Sequence, residues 1–278
     1  MNLPFQTNLQ TNCQICNRRF QQLIVKGLIV FDIMLLCVTG FAAGLLNAVA
    51  GGGTFLTLPA LIYVGVPPVS ANATATLTAL PGYISSAWAF RKDMQAEGSL
   101  GIRIVIGFAA VGSILGALLL IVTPGEAFMW IVPWLLLLAT LLFAVGPSLS
   151  HTLQDRGVRP AGPLVSAAAI FAVAVYGGYF NGGLGIMLLA TFGLLGYQNL
   201  HGANGLKNVL SAVLSLISSI AFIASGLIAW EQAAVMAISA TAGGYIGARQ
   251  SRRIKRTQLL RYFVIAVGVV MTAAFFLL

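Results

Sequence analysis

The chain has 278 residues, 59% of them hydrophobic and 8% charged, with a mean hydropathy of +0.94. A water-facing protein of this length carries roughly 25% charged residues, so a soluble globular reading fails and lipid must be the main solvent. The formal charge of +9 does not point to nucleic acid, because the basic residues lie in short connectors between apolar runs, and the 31 glycines follow neither a collagen period nor a polar tract.

In chain order, residues 1–22 form a polar tail. Its Cys13 and Cys16 make a lone CxxC, with no second pair nearby and with His151 and His201 far along the chain, so an inert tail is preferred to a metal or redox site. Apolar segments come next at 23–49, 54–65, 71–90, 102–122, 127–145, 164–180, 184–196, 203–228, 231–248 and 262–278. A signal peptide is rejected, because the run from Leu23 is longer than the usual h-region of roughly 7–15 residues. A hydrocarbon core of about 30 Å needs about 20 helical residues. The segments 54–65 and 184–196 are too short, the first covering only about 18 Å. Each is preceded by a glycine cluster, Gly51-Gly52-Gly53 or Gly182-Gly183-Leu184-Gly185, that breaks a helix more readily than it continues one. Both read as half-helices.

Orientation comes from the basic connectors. Arg91, Lys92 and Arg103 flank one, Arg156 and Arg159 another, and Arg249, Arg252, Arg253, Lys255, Arg256 and Arg261 a third; these are read as cytoplasmic. The connectors at 65–70, 123–126 and 229–230 carry no Lys or Arg, two have Trp130 or Trp230 close by, and all are read as outward. Crossing parity then makes 164–196 a hairpin that returns to the inside. A first half built the same way has a hairpin that starts and ends outside, a placement that Arg18, Arg19 and Lys26 oppose.

An offset of 132 superposes the two glycine clusters and the segments after them. Gly51 falls on Gly183, Gly53 on Gly185, Leu56 on Leu188, Ala71 on Ala203, Asn72 on Asn204, Ser86 on Ser218, Ala89 on Ala221 and Phe90 on Phe222. The order matters more than the identities: glycine cluster, half-helix, turn, then Ala-Asn opening a long helix. With the parity argument the two copies point opposite ways, as in the inverted repeats of secondary transporters, where broken helices mark a midplane site. The chain divides as tail 1–22, first transmembrane repeat 23–146, cytoplasmic linker 147–162 and second transmembrane repeat 163–278.

Irregular glycine backbone survives in lipid only where it lines a cavity or is covered by protein. Helices starting near Thr54, Ala71, Leu184 and Ala203 would present partnerless N–H groups and positive dipole ends, which favour an anion. Asn204, Asn208, Ser211, Ser215 and Ser218 share one helix face, and Asn72, Thr76, Ala79, Tyr83 and Ser86 stand at the same offsets in the first half. Two such stripes make a solvated path; interhelical hydrogen bonding is the alternative. Lys207 stands early in an apolar helix beside the second break, where an intramembrane charge is costly and usually functional. Snorkelling is its alternative. Ala75 occupies the matching place. Asp32 is read as an interfacial partner of Lys26 or a proton carrier, and Glu126 and Glu231 as helix-start carboxylates. Pro59 and Pro81 are expected to kink their helices. The pairs Gly40/Gly44, Gly112/Gly116 and Gly178/Gly182 are expected to allow close helix packing. No enzyme constellation, cofactor or metal site emerges.

The stretch Asn47-Ala48-Val49-Ala50-Gly51-Gly52-Gly53-Thr54, then Leu58-Pro59-Ala60-Leu61 and Ala71-Asn72-Ala73-Thr74-Ala75-Thr76, resembles the first signature of the TauE/SafE sulfite exporters, the toluene-sulfonate uptake permease family. Ala203-Asn204-Gly205-Leu206-Lys207-Asn208, Ser225-Gly226-Leu227 and Gly243-Gly244-Tyr245-Ile246-Gly247-Ala248-Arg249 resemble the second. Thr54 and Gly205 depart from the family's frequent Ser and Thr. The resemblance implies a multi-pass protein of the bacterial inner membrane that moves sulfite, sulfonates or related small anions by secondary transport, with export the expected direction and the proton gradient the expected coupling. The expected site comprises Gly51, Gly52, Gly53, Thr54, Asn72, Thr76, Asn181, Gly183, Gly185, Asn204, Lys207 and Asn208. The partners are a small anion and the bilayer, with a homo-oligomer open and no nucleic acid. A non-transporting scaffold subunit and a passive anion channel are the rival readings.

Overall fold

The computed structural model describes residues 29–48, 51–91, 100–155, 162–195, 197, 200–251 and 257–277. The tail with Cys13 and Cys16, Lys26 and much of the basic connectors lie outside them. The described residues are helical: α1 (Ile29–Ala48), α2 (Thr54–Tyr63), α3 (Pro68–Phe90), α4 (Ile102–Val122), α5 (Gly125–Asp155), α6 (Pro163–Tyr179), α7 (Leu184–Leu194), α8 (Leu200–Ala224), α9 (Trp230–Ser251) and α10 (Thr257–Leu277). Among the described residues four spans, Ile29–Ala48, Ile102–Val122, Gly125–Leu142 and Gly202–Ala224, are by length and composition long and apolar enough to cross a membrane. Their outer faces carry exposed Val38, Ile114, Leu118, Trp130 and Ile220, the pattern of a protein whose solvent is hydrocarbon.

α2 and α7 have 10 and 11 residues, about 15 Å each, and so reach only half-way through a bilayer. α2 ends on Gly65 at φ +87, with the Val66 amide donating to the Leu61 carbonyl, and α8 ends alike on Gly226 with Leu227 donating to Phe222. α3 and α8 start earlier than their Ala-Asn pairs suggested, at Pro68 and Leu200. Proline's fixed φ and missing N–H suit a first helical position, which moves the start of α3 upstream. Asn72 and Asn204 therefore stand one turn inside their helices, and the expected partnerless amides at Ala71 and Ala203 are not helix-start amides; that of Ala71 donates to the Pro67 carbonyl. α3 continues through Pro81 and α2 through Pro59.

Glycines set the close helix contacts. A Cβ on Gly40 or Gly44 would run into Ser239 or the Ala240 carbonyl of α9, and one on Gly112 or Gly116 into the Phe171 or Val175 carbonyl of α6. Gly178 sits likewise against Ser113, whereas Gly182 lies in the second break against the Phe180 ring, so it is not a helix-packing residue. The contacts also give direction. Gly40 faces Met236, Gly44 faces Ala240 and Gly247 faces Leu45, so α1 and α9 run the same way; Gly112 and Gly116 place α4 and α6 alongside in the same fashion. α3 joins α9, with the Ala229 amide donating to Thr74 Oγ1 at 3.0 Å and Ser86 Oγ to the Gly244 carbonyl at 3.3 Å. The start of α8 meets the end of α1 through Asn204 and Lys207, and Ala48 clusters with Phe90 and Ala248 at the ends of α3 and α9. α8 therefore runs against α3, on which it packs.

Most helix pairings survive exchange of α1–α5 for α6–α10: α3 packs on α8 and α5 on α10, while α4 on α8 mirrors α3 on α9, and α5 on α7 mirrors α10 on α2; α3 on α5 has no such mirror among the described residues.

Candidate functional site

The two glycine breaks, 132 residues apart in sequence, touch. A Cβ on Gly51 would strike the Gly185 Cα, and one on Gly183 would meet Ala139 and the Phe55 ring. Gly51 and Gly183 both hold positive φ, +87 and +73, a left-handed conformation that L side chains adopt only at a cost. The Thr54 hydroxyl donates across the junction to the Asn181 carbonyl at 3.4 Å, and the Tyr176 hydroxyl fixes the Gly182 carbonyl at 2.6 Å. Gly52 and Gly53 are buried in the same place, their carbonyls accepting the amides of Phe55, Leu56 and Thr57 as α2 begins.

Each broken helix is capped by the opposite half. Asn72 Nδ2 of α3 donates to the Tyr179 carbonyl at the end of α6 (2.9 Å), and its match Asn204 of α8 donates to the Ala48 carbonyl at the end of α1 (3.3 Å). These carbonyls have no continuing helix to satisfy them, and a buried orphan carbonyl is costly in lipid. Lys207 adds a third contact, Nζ to the Asn47 carbonyl at 3.1 Å, and is fully buried. It is not a snorkelling lysine. No carboxylate ion-pairs with it among the described residues; Asp32 belongs to α1, and Glu126 and Glu231 to the first turns of α5 and α9. Asp32 shares a pocket of about 260 Å³ with Glu231 and Gln232, and no residue of the glycine breaks lines it.

The two polar stripes face inward, and Asn72, Thr76, Tyr83, Ser86, Asn208, Ser211, Ser215 and Ser218 are all buried. Several are spent on packing. Ser218 shares a hydrogen bond with Ser113 of α4 at 2.9 Å, Ser86 holds α9, and the Thr76 hydroxyl donates to its own helix at the Asn72 carbonyl. Asn181 Nδ2 donates to Ser215 Oγ at 3.2 Å. Among the described residues, both side-chain polar atoms of Asn208, Ser211 Oγ and the Oδ1 atoms of Asn72, Asn181 and Asn204 have no hydrogen-bond partner. Buried polar atoms without partners are expensive, which sets these groups apart from the stripe residues spent on packing. The Gly53 amide, by contrast, donates to Asn47 Oδ1 at 2.7 Å and is already occupied.

Sequence comparison agrees with this architecture. Residues 36–275 match the sulfite exporter TauE/SafE family. The chain belongs to that family.

Among relatives of this TauE/SafE chain, a probable membrane transporter protein of Haemophilus influenzae is 33% identical over 241 residues, covering 86% of this chain and 92% of its own. The probable membrane transporter protein YfcA of Escherichia coli is 31% identical over 254 residues, 90% of this chain and 89% of its own. A probable membrane transporter protein of a Sinorhizobium species is 27% identical over 241 residues, 84% and 88% of the two chains. The chain is a multi-pass membrane transporter of the TauE/SafE family. Asn47 and Tyr83 also meet at the first break, the Tyr83 hydroxyl donating to Asn47 Oδ1 at 3.3 Å. Asn47 was not assigned a role from the sequence, although a polar residue just before a glycine break was the signal for it.

Proposed function

We propose that this protein is an inner-membrane secondary transporter that exports a small anion, sulfite, a sulfonate or a related organic anion, with the proton gradient as the driving force. The observation that carries this reading is Lys207: a fully buried lysine with no carboxylate against it among the described residues, held by one carbonyl and placed next in sequence to an asparagine with two open hydrogen-bonding atoms. A buried cation is stable when an opposite charge visits it, and the unfilled amides and hydroxyls supply the remaining bonds an oxyanion needs. The antiparallel course of α3 and α8 and the exchange symmetry of helix pairing support two inverted five-helix repeats, 23–146 and 163–278, rocking about the joined breaks. Burial of the polar stripes favours an occluded carrier over an open channel. Asn72, Asn204 and Thr54 hold the breaks in place, Gly51, Gly183 and Gly185 let the two breaks pack together with Gly52 beside them, and Asn181, Asn208 and Lys207 contact the anion. The basic connectors face the cytoplasm.

The test is flux of sulfite and sulfoacetate in proteoliposomes under an imposed pH gradient. Wild-type protein should accelerate gradient-dependent anion movement, and Lys207→Gln should reduce it at least tenfold at equal protein per vesicle. Equal flux in the two proteins would remove Lys207 from the site; flux indifferent to the gradient would favour a passive channel.

A further inference from the structure

Asn47, in the last turn of α1 and 2% exposed, receives donors from three places. Its Oδ1 accepts the Gly53 amide at 2.7 Å and the Tyr83 hydroxyl of α3 at 3.3 Å, and its backbone carbonyl accepts Lys207 Nζ of α8 at 3.1 Å. A Cβ on Gly53 would press into the same carboxamide, so Asn47 is packed against the break as well as bonded to it. The carbonyl end of a helix is the negative end of its dipole and lacks internal partners, which makes it a natural seat for an ammonium. The second break is built differently. The position matching Asn47 is Tyr179, whose carbonyl takes the neutral Asn72 amide and no charged donor among the described residues, and the position matching Lys207 is Ala75. The charge is therefore tied to the first break alone.

We propose that Asn47 is a positioning residue: its side chain locks the first glycine break, and its carbonyl seats the Lys207 ammonium against that break, so that backbone and charge present to the anion as one unit. This rests on the anion-carrier reading above. The side chain has to accept two donors without bringing a negative charge near Lys207, and a carboxamide oxygen does so. A carboxylate of the same shape would accept the same donors but compensate the lysine, leaving little charge for a substrate. Aspartate at this position is thus compatible with the fold and incompatible with the function.

The experiment compares full-length wild type, Asn47→Asp and Asn47→Ala in two measurements, sulfite flux in proteoliposomes and amide hydrogen exchange over residues 51–58. Asn47→Asp should keep its melting temperature and its exchange at 51–58, yet raise the half-saturating sulfite concentration at least tenfold; a merely structural asparagine would leave that concentration unmoved. Asn47→Ala should exchange at least tenfold faster at 51–58, because the Gly53 amide loses its acceptor. Wild-type half-saturation in Asn47→Asp would overturn the seating role, and wild-type exchange in Asn47→Ala would overturn the locking role. Absence of sulfite flux in wild type would instead strike the carrier reading, and the exchange measurement would still decide the locking.

Discussion

At the scale of single residues, Gly51 carries two separate demands. Its φ of +87 penalises any side chain, and the Gly185 backbone fills the space where a Cβ would go. Gly65 has the same φ with nothing within 4 Å of its missing Cβ, so it isolates the conformational part. Gly65→Ala should cost about 1–2 kcal/mol from strain alone, whereas Gly51→Ala should lower the melting temperature further and reduce flux, since it pries the two breaks apart. Equal melting temperatures for the two variants would show that the Gly51–Gly185 contact is unimportant. Lys207, Asn72, Asn204 and Asn208 were legible in the sequence because each is polar at a place where lipid or a broken helix makes polarity expensive. The roles of Asn72 and Asn204 as caps on the other half were not legible, because a sequence does not show which carbonyl a side chain will meet 107 or 156 residues away.

At the scale of elements, the short helices and the glycine breaks were plain from length and composition, and the small-residue spacings on α1 and α4 correctly announced close packing. What failed were boundaries and shared faces. Pro68 moved the start of α3 three residues upstream of the expected segment, and with it the supposed free amides. The polar stripes were found, but periodicity cannot say that Ser218 pairs with Ser113 while Ser211 Oγ pairs with nothing. Glycine pairs on one helix give a clean comparison. A side chain on Gly116 of α4 would drive into the Val175 carbonyl of α6, whereas Gly107, earlier on the same helix, has nothing within 4 Å. Gly116→Val should destabilise the protein by about 1–3 kcal/mol through overpacking, and Gly107→Val should not; thermal unfolding in detergent by intrinsic tryptophan fluorescence would resolve them. A Gly116→Val protein that melts like wild type would mean that α4 and α6 do not approach as closely as described.

At the scale of the whole molecule, the opposed course of α3 and α8 is fixed by a few hydrogen bonds, while from the sequence it rested only on where arginines fall. The offset of 132 places the two glycine breaks in register in the sequence, yet how the segments around them are joined was not visible there. The joint is reciprocal: Asn72 finishes the end of α6, and Asn204 finishes the end of α1. Neither half contains the group that completes its own broken helix. A chain cut between 155 and 162 should therefore give two fragments that fail when expressed singly and assemble when expressed together, with co-purification of the pair as the readout. A stable lone fragment would contradict this dependence. The same reciprocity has the form of a two-fold, isologous contact: either half standing alone would leave buried helix ends uncapped until it met a partner offering the same asparagine in return.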